Sequence, residues 1–262
     1  MNEVLRGGRY VITGGSSGFG LALARALVAA GSRVTLLGRR ESALESVVEE
    51  LGVEYSDYFV CDVGDSKSVH SAFASIGPIE GLINNAGMAK PGSVEDLDEA
   101  EVEQQVRTNF LGTVFCCQAA IPLLRAGVNP RIVNISSASA WHYDEMSHLS
   151  VYASTKAAVE RFTRDLREEV QSYGIGVTCL RPGAAWTNFA DGWDQQKVQR
   201  GFDAWRKTGP EMDAGMEASH VASAVIHVLS YPQGVAVDLM EIRPNTPIPK
   251  PDSQAGQTGR LA

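Results

Sequence analysis

Arg9-Tyr10-Val11-Ile12-Thr13-Gly14-Gly15-Ser16-Ser17-Gly18-Phe19-Gly20 opens as a short apolar strand and runs into a glycine-rich turn. Leu21 to Ala30 then reads as an alanine-rich helix. Strand, glycine turn, helix is the context a dinucleotide-binding loop requires. Glycines let the backbone approach a pyrophosphate closely, and a helix N-terminus offers unpaired N–H groups at its positive end. The spacing is Gly14-x-x-x-Gly18-x-Gly20, which departs from the common G-x-G-x-x-G pattern. Such a turn outside this context would be no more than a tight corner. Between this strand and this helix it points to a nucleotide.

Working outward, Ser32 to Gly38 reads as a second strand with Val34-Thr35-Leu36-Leu37 as its apolar core. An acid at its end would bond the ribose 2′-hydroxyl of NAD. Gly38-Arg39-Arg40 stands there instead. Two guanidiniums suit a 2′-phosphate by charge and fork geometry, so NADP(H) is expected over NAD(H). Arg40 could instead pair with Glu41. A helix is expected over Glu41 to Leu51, and a strand over Glu54 to Val60 leading to Cys61-Asp62-Val63. Asp62 could accept from an adenine amino group or cap a helix, although Asp65 is the better cap for a helix over 66–75. Gly81-Leu82-Ile83-Asn84-Asn85-Ala86-Gly87 is a further strand running into a glycine turn. In a parallel sheet, Gly14, Arg39, Asp62 and Asn84 to Gly87 would share the carboxyl rim where ligands bind.

The second half repeats the alternation. Asp98 to Arg125 is mostly helical, with Asn109 among Phe110, Leu111, Val114 and Phe115, where a buried amide needs partners. Arg131 to Ile135 is a strand ending in Ser136-Ser137-Ala138-Ser139. Ser150 to Tyr173 reads as one long helix carrying Tyr152-Ala153-Ser154-Thr155-Lys156. Residues four apart share a helix face. A lysine one turn from a tyrosine would stabilise the phenolate, and moving a phenol from about 10 to about 7 takes roughly 4 kcal/mol. On its own, Tyr-x-x-x-Lys on a helix is usually no more than an ordinary amphipathic face. Gly176 to Leu180 is a sixth strand, residues 188–215 show no partner strand, Glu217 to Leu229 is a helix and Val235 to Arg243 a last strand. Four prolines follow from Pro244, so 244–262 is expected to be extended or disordered. These elements predict a single α/β domain over 1–243, a Rossmann-type doubly wound parallel sheet of about seven strands with helices on both faces.

Composition agrees. The 262 residues are 44% hydrophobic and 21% charged, enough for one substantial core. A net charge of −8 disfavours a nucleic-acid partner. No apolar run approaches the ~20 residues of a membrane span, and the first ten residues lack a signal-peptide core. Cys61, Cys116, Cys117 and Cys179 form no C-x-x-C pair and fall in buried segments. Free thiols in a cytoplasmic protein, with no metal site, are expected.

Together, Thr13-Gly14-x-x-x-Gly18-x-Gly20, Asn84-Asn85-Ala86-Gly87, Asn109, Ser136-Ser137, Tyr152-x-x-x-Lys156 and Pro182-Gly183-x-x-x-Thr187 resemble the classical short-chain dehydrogenase/reductase family. The motifs run in the family's order over about residues 9–243. The resemblance implies a NAD(P)-dependent oxidoreductase acting on a carbonyl or alcohol, a homodimer or homotetramer. It makes Tyr152 the general acid–base, with Lys156 lowering its pKa and holding the nicotinamide ribose. Ser137 would bond the substrate oxygen, and Asn109 would order a water that links Lys156 to solvent. Gly14, Ser16, Ser17, Gly18, Phe19 and Gly20 would line the pyrophosphate. Asp62 and Val63 would meet the adenine, Asn85, Ala86 and Gly87 its ribose side, and Pro182, Gly183 and Thr187 the nicotinamide. One departure concerns the serine: the family's spacing would select Ser139, 13 residues before Tyr152, whereas the strand-end motif selects Ser137. A loop absorbs insertions and a strand terminus fixes direction, so Ser137 is preferred.

The substrate side is aromatic. Trp141, Trp186, Trp193, Trp205, Phe189 and Phe202 all fall in the segments expected to cover it, with Ser139, His142, Tyr143 and His148 nearby. A lid over 188–215 that excludes water from a roomy pocket for a bulky hydrophobic ketone or alcohol is one reading. Rings that merely pack the lid onto the domain are the other. The two histidines are expected to line the site rather than serve as bases. A rival of another class is a catalytically silent NADP(H) sensor or scaffold on this fold.

Overall fold

The computed structural model describes residues 3–141, 146–207 and 213–249. Its first half comprises β1 (Arg9–Thr13), α1 (Gly18–Ala29), β2 (Arg33–Gly38), α2 (Glu41–Leu51), β3 (Ser56–Val60), α3 (Ser66–Ala74), β4 (Gly81–Asn84) and α4 (Glu99–Val106). A five-residue π turn, Arg107–Leu111, joins α4 to α5 (Gly112–Leu124). There follow β5 (Arg131–Ile135), α6 (Ser150–Val170), β6 (Gly176–Pro182), β7 (Ala185–Trp186), α7 (Gln195–Lys207), β8 (Met216–Glu217), α8 (Ala218–Leu229) and β9 (Leu239–Ile242). Seven strands form one sheet in the order β3-β2-β1-β4-β5-β6-β9, and every pairing is parallel. This is the single-domain Rossmann-type fold expected from the alternation.

The strands are apolar on both faces because both are covered. Alternate residues therefore enter different cores. Ile12, Leu36, Ile83 and Val133 meet Leu23 and Leu27 of α1, Leu44 of α2, and Val221 and Val225 of α8. Their neighbours Val11, Leu37, Leu82 and Ile132 meet Phe73 of α3, Leu124 of α5 and Leu166 of α6. Each such fully buried aliphatic side chain contributes about 2 kcal/mol. All four cysteines are buried free thiols. The strand order reverses between β1 and β4, which opens a crevice at their carboxyl ends.

Asp65 caps α3 as expected, accepting from the Lys67 N–H at 3.0 Å. Some boundaries differ. The first helix begins inside the glycine turn, at Gly18, and β9 is shorter than the expected 235–243. The long helix α6 stops at Val170, and one 3-10 turn carries the chain to Gly174 in the left-handed region (φ +71). The main addition is α7, inside the segment 188–215, read from sequence only as having no partner strand. Its signal was present: Val198, Gly201, Phe202 and Trp205 recur at helical spacing, and only Gly201 and Trp205 are buried. The start of the tail is extended, as expected; Ala214 N–H donates to the Thr246 carbonyl at 2.8 Å, and Asp213 bridges Pro247.

Candidate active site

At the crevice the two glycine turns are knitted together. Thr13 Oγ1 accepts from the N–H groups of Asn85 (3.0 Å) and Ala86 (2.9 Å), and Asn85 Nδ2 donates to the Thr13 carbonyl at 2.9 Å. Gly14 adopts φ +65, and a Cβ there would press on Ala86 Cα at 3.1 Å. A Cβ on Gly20 would run into the Gly14 carbonyl oxygen, so α1 can pack close only because Gly20 has none. Ser16 and Ser17 are half-buried, and Ser17 occupies the cap position of α1 without a side-chain cap bond. Phe19 packs its ring onto the core and leaves its N–H as the group it can offer. Gly18 (φ +51) faces Thr187, whose Cβ lies 3.6 Å from a Cβ placed on Gly18. Thus the first turn of α1 presents free N–H groups opposite the segment after β6, the arrangement an anionic pyrophosphate needs.

Along the rim, Arg39 and Arg40 are exposed at the end of β2, and neither makes an ion pair among the described residues. Asp62 is exposed past β3, its Oδ1 accepting from Gly64 N–H at 2.9 Å. Val63 instead buries its side chain against Gly112 of α5, leaving only backbone to a ligand. These free guanidiniums, the N–H cradle and the exposed acid fit a dinucleotide with a 2′-phosphate.

Tyr152 and Lys156 lie one turn apart on α6, where the helix crosses the end of β5. Lys156 is buried, and its Nζ donates to the Ile135 carbonyl at 2.8 Å. The ammonium stands 5.9 Å from the Tyr152 ring centre. Burial lowers the Lys156 pKa to about 8. Burial also pushes Tyr152 up to about 12, against the nearby Ser137 hydroxyl, which pulls it down. Burial, the largest influence on the tyrosine here, thus works against the lowering expected from Lys156. Burial penalises both charged forms, and the ammonium is turned to a carbonyl rather than to the phenol. Ser137 is the serine in contact with Tyr152; Ser139 Oγ donates to Ser137 Oγ at 2.9 Å and supports it from behind.

Gly87 borders the same space, since a Cβ on it would stand 3.3 Å from Lys156 Nζ and 3.6 Å from Asn109 Oδ1. Only a glycine leaves room there for a ribose against the lysine. Asn109 sits in the π turn, fully buried. Its Oδ1 accepts from Met88 N–H (2.8 Å), and its Nδ2 donates to the Met88 carbonyl (2.8 Å) and Thr155 Oγ1 (3.0 Å). The extra residue in the turn aims this amide inward. It clamps the loop after β4 to the helix of Tyr152, a role that sequence did not suggest.

A chain of charges behind the site was also missed. Ser136 Oγ donates to Glu160 Oε1 at 2.7 Å, and Arg181 grips Glu160 with two bonds of 2.8 and 2.6 Å. Arg181 continues to Glu241 (2.9 Å), Glu241 to Arg243 (3.2 Å) and Arg243 to Asp213 (3.0 Å). The available signal was Glu160, four residues after Lys156, opposite an arginine at a strand end. Pro182 is buried and Gly183 half-buried beyond it. A Cβ on Gly183 would meet Arg243.

Over the site, the Phe189 ring lies 5.4 Å from Tyr152, and Trp193 lies 5.8 Å from Phe189. Trp205 anchors α7 beneath, donating from Nε1 to the Ser147 carbonyl at 2.7 Å. Lys197–Glu101 (3.1 Å) and Arg200–Asp96 (2.8 Å) tie α7 to the chain around α4. Trp205 thus packs α7 onto the domain, while Phe189 adjoins Tyr152 and Trp193 packs in the same small cluster. Trp141 and Trp186 are largely exposed, at 68% and 65%, and Trp186 lies against Gly215. His142 and Tyr143 lie outside the described residues. Among the described residues no three His, Cys, Asp or Glu gather as a metal site, and no helix is long and apolar enough to cross a membrane.

Comparison with known proteins agrees with this geometry. A sequence profile of short chain dehydrogenases matches residues 9–198. Sulfoacetaldehyde reductase 2 of Chromohalobacter salexigens is 36% identical over 245 residues, covering 89% of this chain and 93% of the relative. A closed form of serine dehydrogenase complexed with NADP+ superposes with a TM-score of 0.78 at 25% identity, over 89% of this chain and 94% of that one. An alcohol dehydrogenase of the archaeon Thermococcus sibiricus, complexed with 5-hydroxy-NADP, gives 0.76 at 25% identity over 90% and 95%.

Proposed function

This chain belongs to the short-chain dehydrogenase family, and from that premise we propose that it interconverts a carbonyl and a secondary alcohol with NADP(H) in preference to NAD(H). The observation that carries the reading is the contact of Ser137 with Tyr152 one helical turn from buried Lys156. Arg39 and Arg40 would hold the 2′-phosphate, Gly14 and Ser16 to Gly20 the pyrophosphate, and Asp62 and Val63 the adenine. Asn85, Ala86, Gly87 and Lys156 would take the riboses, and Pro182, Gly183 and Thr187 the nicotinamide. When bound, the nicotinamide supplies or accepts the hydride.

The chain's own part is to hold the oxygen and move the proton. Ser137 hydrogen-bonds the substrate oxygen. Tyr152, kept protonated by burial at neutral pH, donates its hydroxyl proton to that oxygen as the alcohol forms. Lys156 fixes the phenol's surroundings, and Asn109 positions the helix and the loop at Gly87.

Phe189 and Trp193 beside Tyr152 support a bulky hydrophobic substrate. The relative named for sulfoacetaldehyde suggests the opposite class, a small anionic aldehyde. A homodimer or homotetramer in the cytoplasm completes the proposal; sizing chromatography tests the assembly.

The deciding experiment follows NADPH and NADH oxidation against a panel of hydrophobic ketones and small charged aldehydes, with wild type beside Tyr152→Phe. Turnover should favour NADPH and fall by roughly 10²–10⁴-fold in the variant while NADPH binding survives. A strong preference for sulfoacetaldehyde over hydrophobic ketones would remove the bulky-pocket reading. Tight NADPH binding with no turnover of any carbonyl would favour a sensor.

A further inference from the structure

Two ring nitrogens beneath the lid have no use in the reaction described above. Trp193 Nε1 and His148 Nδ1 are both buried, and neither has a hydrogen-bond partner among the described residues. A buried N–H left unpaired costs about 1–3 kcal/mol, and folded chains leave few of them. The setting is specific. Trp193 packs, with Tyr152 and Met146, against a small apolar cluster of Ala89, Leu149 and Trp205, apart from the two main cores. Its ring is one aromatic contact removed from Tyr152, through Phe189. The contrast with Trp205 is direct: that indole, in the same cluster, spends its N–H on the Ser147 carbonyl.

His148 adds an independent observation. It is the one non-glycine residue with positive φ (+65) among the described residues, and it lies two residues before α6. Its side chain stands against Gly201 of α7, 3.4 Å from where a Cβ on that glycine would be. Strain of this kind persists where a side chain must be aimed.

We infer that Trp193 Nε1–H is a substrate-reading donor: the natural substrate carries a second hydrogen-bond acceptor, distant from its reacting carbonyl, which the indole holds when the lid is down. This deepens the proposed reaction and rests on it. It turns an apolar aromatic pocket into one that distinguishes a hydroxy- or oxo-substituted ketone from its plain hydrocarbon analogue.

The test uses two matched ketones, 4-phenyl-2-butanone and 4-(4-hydroxyphenyl)-2-butanone, with wild type and Trp193→Phe, which keeps an aromatic ring and removes the N–H. The ratio of kcat/KM for the hydroxylated over the plain ketone should be roughly tenfold or more in wild type and collapse towards one in the variant. Calorimetric binding of the same ketones to the enzyme with NADP+, where no reduction can occur, separates this claim from the reaction. A wild-type binding preference lost in Trp193→Phe supports the donor even if neither ketone is turned over, and in that case the proposed reaction alone is struck. Equal ratios in wild type and variant, in turnover and in binding, would overturn the donor while leaving the reaction intact.

Discussion

Lys156 shows how a functional side chain is held at a cost to the fold. Its pKa is lowered from 10.5 to about 8 by burial. Between those values the unfolded chain binds more protons than the folded one, so stability rises with pH across that window. Below about pH 8 the penalty of burying the ammonium is present in full. Lys156→Met should therefore be inactive yet hold or gain stability at pH 7, despite losing the bond to Ile135. Raising the pH from 7 to 10 should favour wild type over the variant by roughly 2 to 3 kcal/mol. Denaturant titrations of both proteins at the two pH values read this directly; parallel curves would show that the lysine is not charged at pH 7 or not desolvated. Sequence placed Lys156 beside Tyr152 correctly, because a helix repeats every turn. It could not weigh burial, because burial depends on the chain segments around α6 and not on the spacing within it.

At the scale of elements, α7 rests on the protein through a few contacts. Trp205 and Gly201 are its buried residues, and its ion pairs are partly or largely solvated. Such pairs contribute about 0–1 kcal/mol each. Removing both with Lys197→Ala and Arg200→Ala should shift Tm by only a few degrees. Hydrogen exchange across 195–207 should nevertheless quicken, and KM for the carbonyl should rise several-fold. Unchanged exchange would mean that Trp205 alone holds the helix. The same element marks where sequence was least legible. The limits of β1, α2 and β5 could be read to the residue, since glycine, proline or charge brackets each apolar run. In α7 the apolar stripe is only Val198, Gly201, Phe202 and Trp205, set among polar residues after Gly192. A glycine in the contact face hides the pattern, and tertiary packing on His148 explains why it is there.

Across the whole molecule, charge is arranged against its average. The chain carries −8 overall, yet the rim after β2 offers two exposed guanidiniums with no ion pair among the described residues. Attraction of a phosphate to such exposed groups is screened within about 8–10 Å at physiological salt. KM for NADPH should thus climb with ionic strength more steeply than KM for NADH. Arg39→Ala with Arg40→Ala should raise the former at least about tenfold and erase the difference in salt dependence. Equal salt slopes in wild type would assign the arginines to solvent. The sheet order was legible only as a class, because the return from β3 to β4 beside β1 is a long-range choice. The charge relay from Ser136 to Asp213 was legible only at Glu160, because the rest joins α6, β6, β9 and the loops beside them across long range. That relay has a consequence in time. Arg181 is synthesised 60 residues ahead of Glu241. At about 5–20 residues per second, a nascent chain spends several seconds with α6 anchored on one side only. During that interval β6, whose outer neighbour is β9, is an uncovered strand edge. Translation speed over the last stretch therefore sets how long this protein is exposed to mispairing with its neighbours on a polysome.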